Sequence, residues 1–312
     1  MTLRGSPFSL TLGTLVRAKI RAINGQGSGP FSQVNAAGGL IETEPAAVTG
    51  LTHDTSSSTV NSNRITWPDL IGNTYTGRSP ITGYEIDQAD NFANPVWSTL
   101  ATVAPGVGAY LATGLTGGTT YIYRVRAQNL HGDGPYSSLL SALTAQAPDK
   151  PTAPTTSQVA TGVRVSWTAP NYNFLAILEF EITIADSAGL FAKYTLLCDG
   201  ASEAAKTDLA CVVPMASLTS APLSLSVGAL VKFKVRARNA RGWSLTSDAN
   251  TSGVLAQSVP VRMGAPFTDA AQTGETQVYV EWTALSSPSD TGGSAVTSYH
   301  VRWDAGAGIG SW

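Results

Sequence analysis

Charge is scarce in this chain. Charged side chains make up 13% of its 312 residues, 19 basic against 21 acidic, roughly half the ~25% of an average globular protein. The net charge of −2 provides no basic field to gather nucleic acid or an anionic membrane. Histidine occurs three times, at His53, His131 and His300, and cysteine twice. So few ligating and nucleophilic groups, scattered over unrelated positions, spell no metal cluster and no Ser/His/Asp order. A G-x-x-x-x-G-K phosphate loop is missing too. No apolar run reaches the roughly 18 residues of a membrane span, and the opening MTLRGSPFSLTLG lacks the uninterrupted apolar core of a signal peptide. The expectation is a chain that is not an enzyme, needs no cofactor, binds no nucleic acid and has no membrane span in this segment.

What the chain does have is turn formers and repeats. Hydrophobic residues reach 43%, beside 31 Gly and 17 Pro, enough for buried cores joined by many turns. Three segments align without gaps: LTLGTLVRAKIRAINGQGSGPFS, LTGGTTYIYRVRAQNLHGDGPYS and LSVGALVKFKVRARNARGWSLTS. Their matching alanines, Ala22, Ala127 and Ala237, are 105 and 110 residues apart. A second element, NRITW, VRVSW and YVEW, places Trp67, Trp167 and Trp282 at intervals of 100 and 115. A third is centred on Tyr84, Phe180 and Tyr299. Apolar residues alternate with polar ones within each element, as in Val163, Val165 and Trp167 against Arg164 and Ser166. That period marks half-buried antiparallel strands. The pairs Asn24/Gly25, Asn129/Gly132 and Asn239/Gly242 supply hairpin-turn chemistry, and proline-rich stretches at 43–50, 147–154 and 258–266 separate the units.

The order of these motifs resembles the fibronectin type III domain across essentially the whole chain. The resemblance implies an all-β fold of tandem seven-stranded, immunoglobulin-like sandwiches. Trp67/Tyr84, Trp167/Phe180 and Trp282/Tyr299 would be core markers. Tyr121 would form a tyrosine corner by bonding nearby backbone; the other two copies have Val16 and Val231 there. Aligned on the repeat, residues 1–43 are the C-terminal half of a domain, 44–147 and 148–258 are complete domains, and 259–312 are an N-terminal half. Neither half can bury its own inner face. Two explanations stand: a window on a longer array, since Met1 falls inside a repeated motif, or protomers whose tails complete the next molecule's head.

Within the third copy lie Cys198 and Cys211. A disulfide across a 14-residue loop, two buried thiols, or a reactive or metal-binding pair would each use them; the absence of histidine from that copy weighs against metal. A disulfide implies an oxidising, extracellular compartment. Asn250-Thr251-Ser252 is a possible N-glycosylation sequon. The basic residues of the repeated strand, such as Arg124/Arg126 and Lys234/Arg236, face outward, either solvated or meeting carboxylates of a neighbouring domain. SDTGGSAVTSY reads as a turn rather than a calcium loop, and Trp243 is the one aromatic departing from its repeat counterparts. The leading expectation is an extracellular or cell-surface structural repeat protein, a rod or head-to-tail filament whose partners are its own copies or adjacent domains. The alternatives are a ligand-binding ectodomain of an adhesin or receptor, or an accessory region of a secreted glycan-active enzyme.

Overall fold

The computed structural model describes residues 4–90 and 92–303; Met1, on which the reading of the chain's start rests, lies outside them. The chain divides into two compact units, residues 1–146 with 173–175, and residues 147–172 with 176–312. Among the described residues the longest helix, Glu203–Asp208, has 6 residues; everything else of substance is strand and turn.

In the first unit one sheet holds three strands, Thr52–Thr59, Ser62–Thr66 and Ala109–Thr113. The facing sheet is built on Ile81–Ala89 and Thr120–Asn129, flanked by Ser98–Val103, Gly132–Asp133 and Leu140–Leu143. Alternation decides what lies between them. Tyr121, Tyr123, Val125 and Ala127 point inward and are buried with Ile65, Trp67, Tyr84 and Ile86, while Arg124 and Arg126 point out. Trp67 and Tyr84 meet with ring centroids 5.9 Å apart at 53°, a tilted contact favoured by ring quadrupoles. The Tyr121 hydroxyl accepts from the Thr116 N–H at 3.1 Å, closing the corner, and the Tyr84 hydroxyl accepts from the Leu70 N–H at 2.7 Å.

The second unit repeats the plan. Thr155–Val159, Gly162–Ser166 and Ala210–Pro214 form one sheet; Phe191–Lys193, Glu179–Ala185, Phe233–Asn239 and Gly242–Trp243 form the other. Trp167 and Phe180 pair at 5.6 Å and 55° within a core that includes Val165, Ile182, Phe233 and Val235. Where the first sandwich carries Tyr121, Val231 is fully buried, so this corner closes by packing.

Residues outside these sandwiches keep the same local geometry without the burial. Near the start, Leu15–Val16 pairs with Gly39–Leu40 and Ile23–Asn24 with Gly27–Ser28. Near the end, Phe267–Thr268 pairs with Val280–Glu281. Trp282 and Tyr299 still meet at 5.6 Å and 54°, yet they are 37% and 36% exposed, because among the described residues no complete second sheet covers them. The hairpins also correct one reading: in the first copy Gly27 (φ 138), not Gly25, takes the place of Gly132 (φ 136) and Gly242 (φ 126).

Candidate functional site

The chemically richest surface is the outer face of each long-stranded sheet. Register places Arg124 opposite Asp87 and Arg126 opposite Glu85. Arg124 donates to Asp87 through Nε at 3.0 Å and Nη2 at 2.8 Å. Its guanidinium lies 4.1 Å from the Trp97 ring and 3.7 Å from Tyr136. Arg126 bonds Glu85 at 2.8 Å and Asp133 at 3.0 Å, and the Tyr136 hydroxyl donates to Glu85 at 2.9 Å. In the second sandwich Arg236 bonds Glu181 at 2.8 Å beneath Trp243, 4.4 Å away; Arg238 pairs with Glu179 and Lys234 covers Phe191 at 4.3 Å. The arginines of these two sandwiches are thus neither freely solvated nor reaching for another domain. They are laced to carboxylates one strand away and stacked on aromatics, an arrangement that gives planar guanidinium groups both bonds and a ring face. Trp243 is part of this stack.

Burial pushes the Asp87 carboxyl up, but bonds from Tyr136, Arg124 and Thr99 and the charge of Arg124 outweigh it, so the group sits below its ordinary value. Burial, then the bonded carboxylates of Asp87 and Glu85, push the Tyr136 hydroxyl up to about 12. Because Asp87 is depressed in the folded state, its contribution to stability is present above the unfolded value, roughly 3.9. It is lost as pH falls through the folded value. Urea midpoints of the first sandwich should therefore fall on acidification below about pH 4. Asp87→Asn should lower the midpoint at pH 7 and flatten that fall; an unchanged acid limb in the variant would contradict the assignment.

A second recurring device holds the chain where it enters each sandwich. Thr43 N–H donates to Gly77 O at 3.0 Å, Asp149 N–H to Asn171 O at 3.0 Å, and Ser258 N–H to Gly292 O at 2.9 Å. Asn129, buried beside this joint, donates Nδ2 to Thr43 O at 2.7 Å and Thr76 O at 2.9 Å; Asn239 donates to Tyr172 O at 3.0 Å. Sequence reasoning treated these asparagines as turn residues only. Their Oδ1 atoms do serve the turn, accepting from His131 and Arg241 N–H groups, while the amide end ties it to the linker joint. Gly77 is required here: at φ 67 a Cβ would fall 2.1 Å from Thr43 O.

Cys198 and Cys211 are bonded to each other, with Cα atoms 5.7 Å apart, inside the usual bridging range. The bridge ties the Ala210–Pro214 strand to the segment before the Glu203–Asp208 helix. Asn250 is placed differently from its sequon reading. It is 4% exposed, its Oδ1 accepts from Phe233 N–H at 2.7 Å, and its Nδ2 donates to Val231 O at 2.9 Å and Ser252 O at 3.1 Å. The side chain replaces a missing strand rung, and its nitrogen has no room for a glycan in the fold. Asn250→Ala leaves buried N–H and C=O groups unmet, at about 1–3 kcal/mol each. Urea unfolding should show a loss of about 2–4 kcal/mol, whereas Ser252→Ala, which removes only the sequon, should be neutral. A glycan mapped to Asn250 in folded protein would contradict this.

Among the described residues no group of three or more His, Cys, Asp or Glu could hold a metal, and no helix is long and apolar enough to cross a membrane. His53 bonds Ser58 five residues on, and His131 bonds Glu42. SDTGGS folds as the one-turn helix Pro288–Thr291, ended by Gly292 in the left-handed region.

Two antiparallel sandwiches in tandem, each cored on a tryptophan–aromatic pair, define an immunoglobulin-like class. Residues 46–142, the first sandwich, match the family model of the fibronectin type III domain, and the second sandwich repeats its strand plan. It is similar to Exoglucanase B of Cellulomonas fimi, 28% identical over 275 residues, covering 83% of this chain and 21% of that protein. It is also similar to Contactin-3 of Rattus norvegicus, 29% identical over 131 residues (42% and 12%). Chitinase A1 of Niallia circulans is 28% identical over 145 residues (44% and 19%). The chain thus spans about a fifth of these relatives' length at most. Among solved structures, the FN1–FN3 domains of chicken CNTN1 align over 77% of both chains at 19% identity, with a TM-score of 0.41.

Proposed function

We propose that this chain is a non-catalytic, extracellular structural array, a spacer in which sandwich domains follow one another and each holds its own entering strand. The observation that carries this is the joint itself: three times, at Thr43, Asp149 and Ser258, the entering strand is held by a main-chain bond to the loop of the domain it enters. Each bond lies within the unit that the strand enters and shortens the free part of the linker. The domain division is 1–43, 44–147, 148–258 and 259–312, and the partners are further domains of its own kind. The disulfide supports an oxidising location. Sedimentation and small-angle scattering of the chain should report an extended particle, and Asn129→Ala with Asn239→Ala should broaden its distribution of dimensions. A compact particle unaffected by these changes would sink the reading.

A second reading, an accessory region of a secreted glycan-active enzyme, draws on the likeness to Exoglucanase B and Chitinase A1. Retention of the chain on cellulose or chitin would favour it; free passage would leave the spacer.

A further inference from the structure

Adjacent copies are unevenly spaced, but alternate copies are not. Ala22 to Ala237, Trp67 to Trp282 and Tyr84 to Tyr299 are each 215 residues. The structure keeps that interval bond by bond. Ala46 N–H meets Tyr75 O as Val261 N–H meets Asp290 O. Leu70 N–H meets the Tyr84 hydroxyl as Leu285 N–H meets that of Tyr299. Ser58 Oγ donates to Asp54 O as Thr273 Oγ1 donates to Asp269 O, both at 2.7 Å. The helices Asn73–Thr76 and Pro288–Thr291 end on Gly77 and Gly292 at φ 67 and 70. The earlier part of the interval behaves alike: Ala18 N–H meets Asn35 Oδ1 as Phe233 N–H meets Asn250 Oδ1. The middle sandwich departs from this scheme, with Phe180 for the tyrosine. Copies two places apart therefore match without a gap, and residues 259–303 can be read position by position against 44–88.

That correspondence fixes what their open face accepts. Strand residues facing the Thr120–Asn129 strand outwardly are Glu85 and Asp87; 215 residues on stand His300 and Arg302. Every copy of the facing strand in this chain is basic there: Lys19/Arg21, Arg124/Arg126 and Lys234/Arg236. In the complete sandwiches the opposing residues are acidic or neutral, Glu85 and Asp87, Glu181 and Thr183. The last copy carries no carboxylate there and puts Arg302 where Asp87 stands. Directly opposed like charges destabilise a strand pair, so residues 15–24 of a second copy, bringing Lys19 against Arg302 and leaving Arg21 without a carboxylate opposite it, are the wrong occupant. Val280, Trp282, Tyr299 and Val301 line an open hollow of about 220 Å³ with Met263 and Pro266, and His300 and Arg302 border the same hollow.

We propose that the face formed by Val280, Trp282, Tyr299 and Val301 is completed by a fibronectin-III-like strand of inverted charge, apolar inward and carrying carboxylates at the positions of Arg124 and Arg126. This rests on the array reading and narrows it: the ends of two copies do not pair head to tail. The test extends the full chain after Trp312, which matches Trp97, with a second copy of residues 98–147. Both versions carry Tyr123→Phe in the appended segment, because Asn63, which bonds the Tyr123 hydroxyl, is replaced by Val278. One version also carries Arg124→Glu and Arg126→Glu. The acidic version should bury Trp282, shifting its fluorescence to the blue and protecting amides 278–303. Its added sandwich should unfold with a constant roughly tenfold smaller than the basic version's at low salt, a gap that narrows at high salt. The unextended chain should stay monomeric. Equal or greater stability of the basic version, or self-association of the unextended chain that buries Trp282, overturns the charge proposal while leaving the array. Failure of both versions to bury Trp282 overturns the array as well.

Discussion

Trp167→Ala is expected to remove about 3–5 kcal/mol from the second sandwich, whereas Trp282→Ala should cost the chain under about 1 kcal/mol. The two tryptophans occupy the same repeat position and touch their aromatic partners at the same 5.6 Å. They differ in what lies above them. Trp167 is 5% exposed beneath a full second sheet, so its loss leaves a cavity lined by Val165, Ile182 and Val235. Trp282 has only its own sheet, and truncation there forfeits one ring contact. Against a total stability of about 5–15 kcal/mol for a domain, the first change should bring the urea midpoint of one transition down sharply and leave the transition of the Trp67 sandwich in place. Equal losses for the two variants would mean that the last segment is packed like a finished domain.

Removing the disulfide should have the next largest effect. Cys198–Cys211 closes 13 positions of chain, and a loop of that length restricts the unfolded state by about 3 kcal/mol in the chain-entropy model. Cys198 is buried in the core of its sandwich and Cys211 packs against it, so alanine at both positions also sacrifices some packing. The double variant Cys198→Ala/Cys211→Ala, and the native chain under reductant, should both unfold at lower urea, with the first sandwich unaffected. Identical midpoints with and without reductant would show that the bridge does not constrain this domain. Peptide mapping without reduction should recover the two cysteines in one linked species.

Alternation made most strands readable. Val125 and Ala127 could point only one way once their neighbours were Arg124, Arg126 and Gln128, Tyr121 and Tyr123 followed from the same alternation, and the tryptophans marked the opposite sheet. The partners of the arginines were not readable, because Glu85 and Asp87 lie about forty residues upstream and only the register of two non-adjacent strands brings them together. The pattern Tyr84-Glu85-Ile86-Asp87, apolar and acidic by turns, was the available signal. Asn250 misled because a sequon is defined by three residues and says nothing of burial; its counterpart Asn35, bonded in the same way to Ala18 N–H, held the clue that the side chain belongs to the strand ladder. The linker clamps depend on single backbone bonds from Thr43, Asp149 and Ser258, which no side-chain pattern records.

Residue-resolved hydrogen exchange on the dilute, monomeric chain tests the central claim most directly. Two finished sandwiches flanked by uncovered faces predict two tiers of protection. The amides of Val125 and Val235, each held by a serine hydroxyl as well as by flanking strands, should exchange only when their own sandwich unfolds. The amides of Val280, Tyr299 and Val301 should exchange far faster, through local opening. Protection of residues 278–303 equal to that of Ser62–Thr66 and Ile81–Ala89 in the monomer would contradict the account.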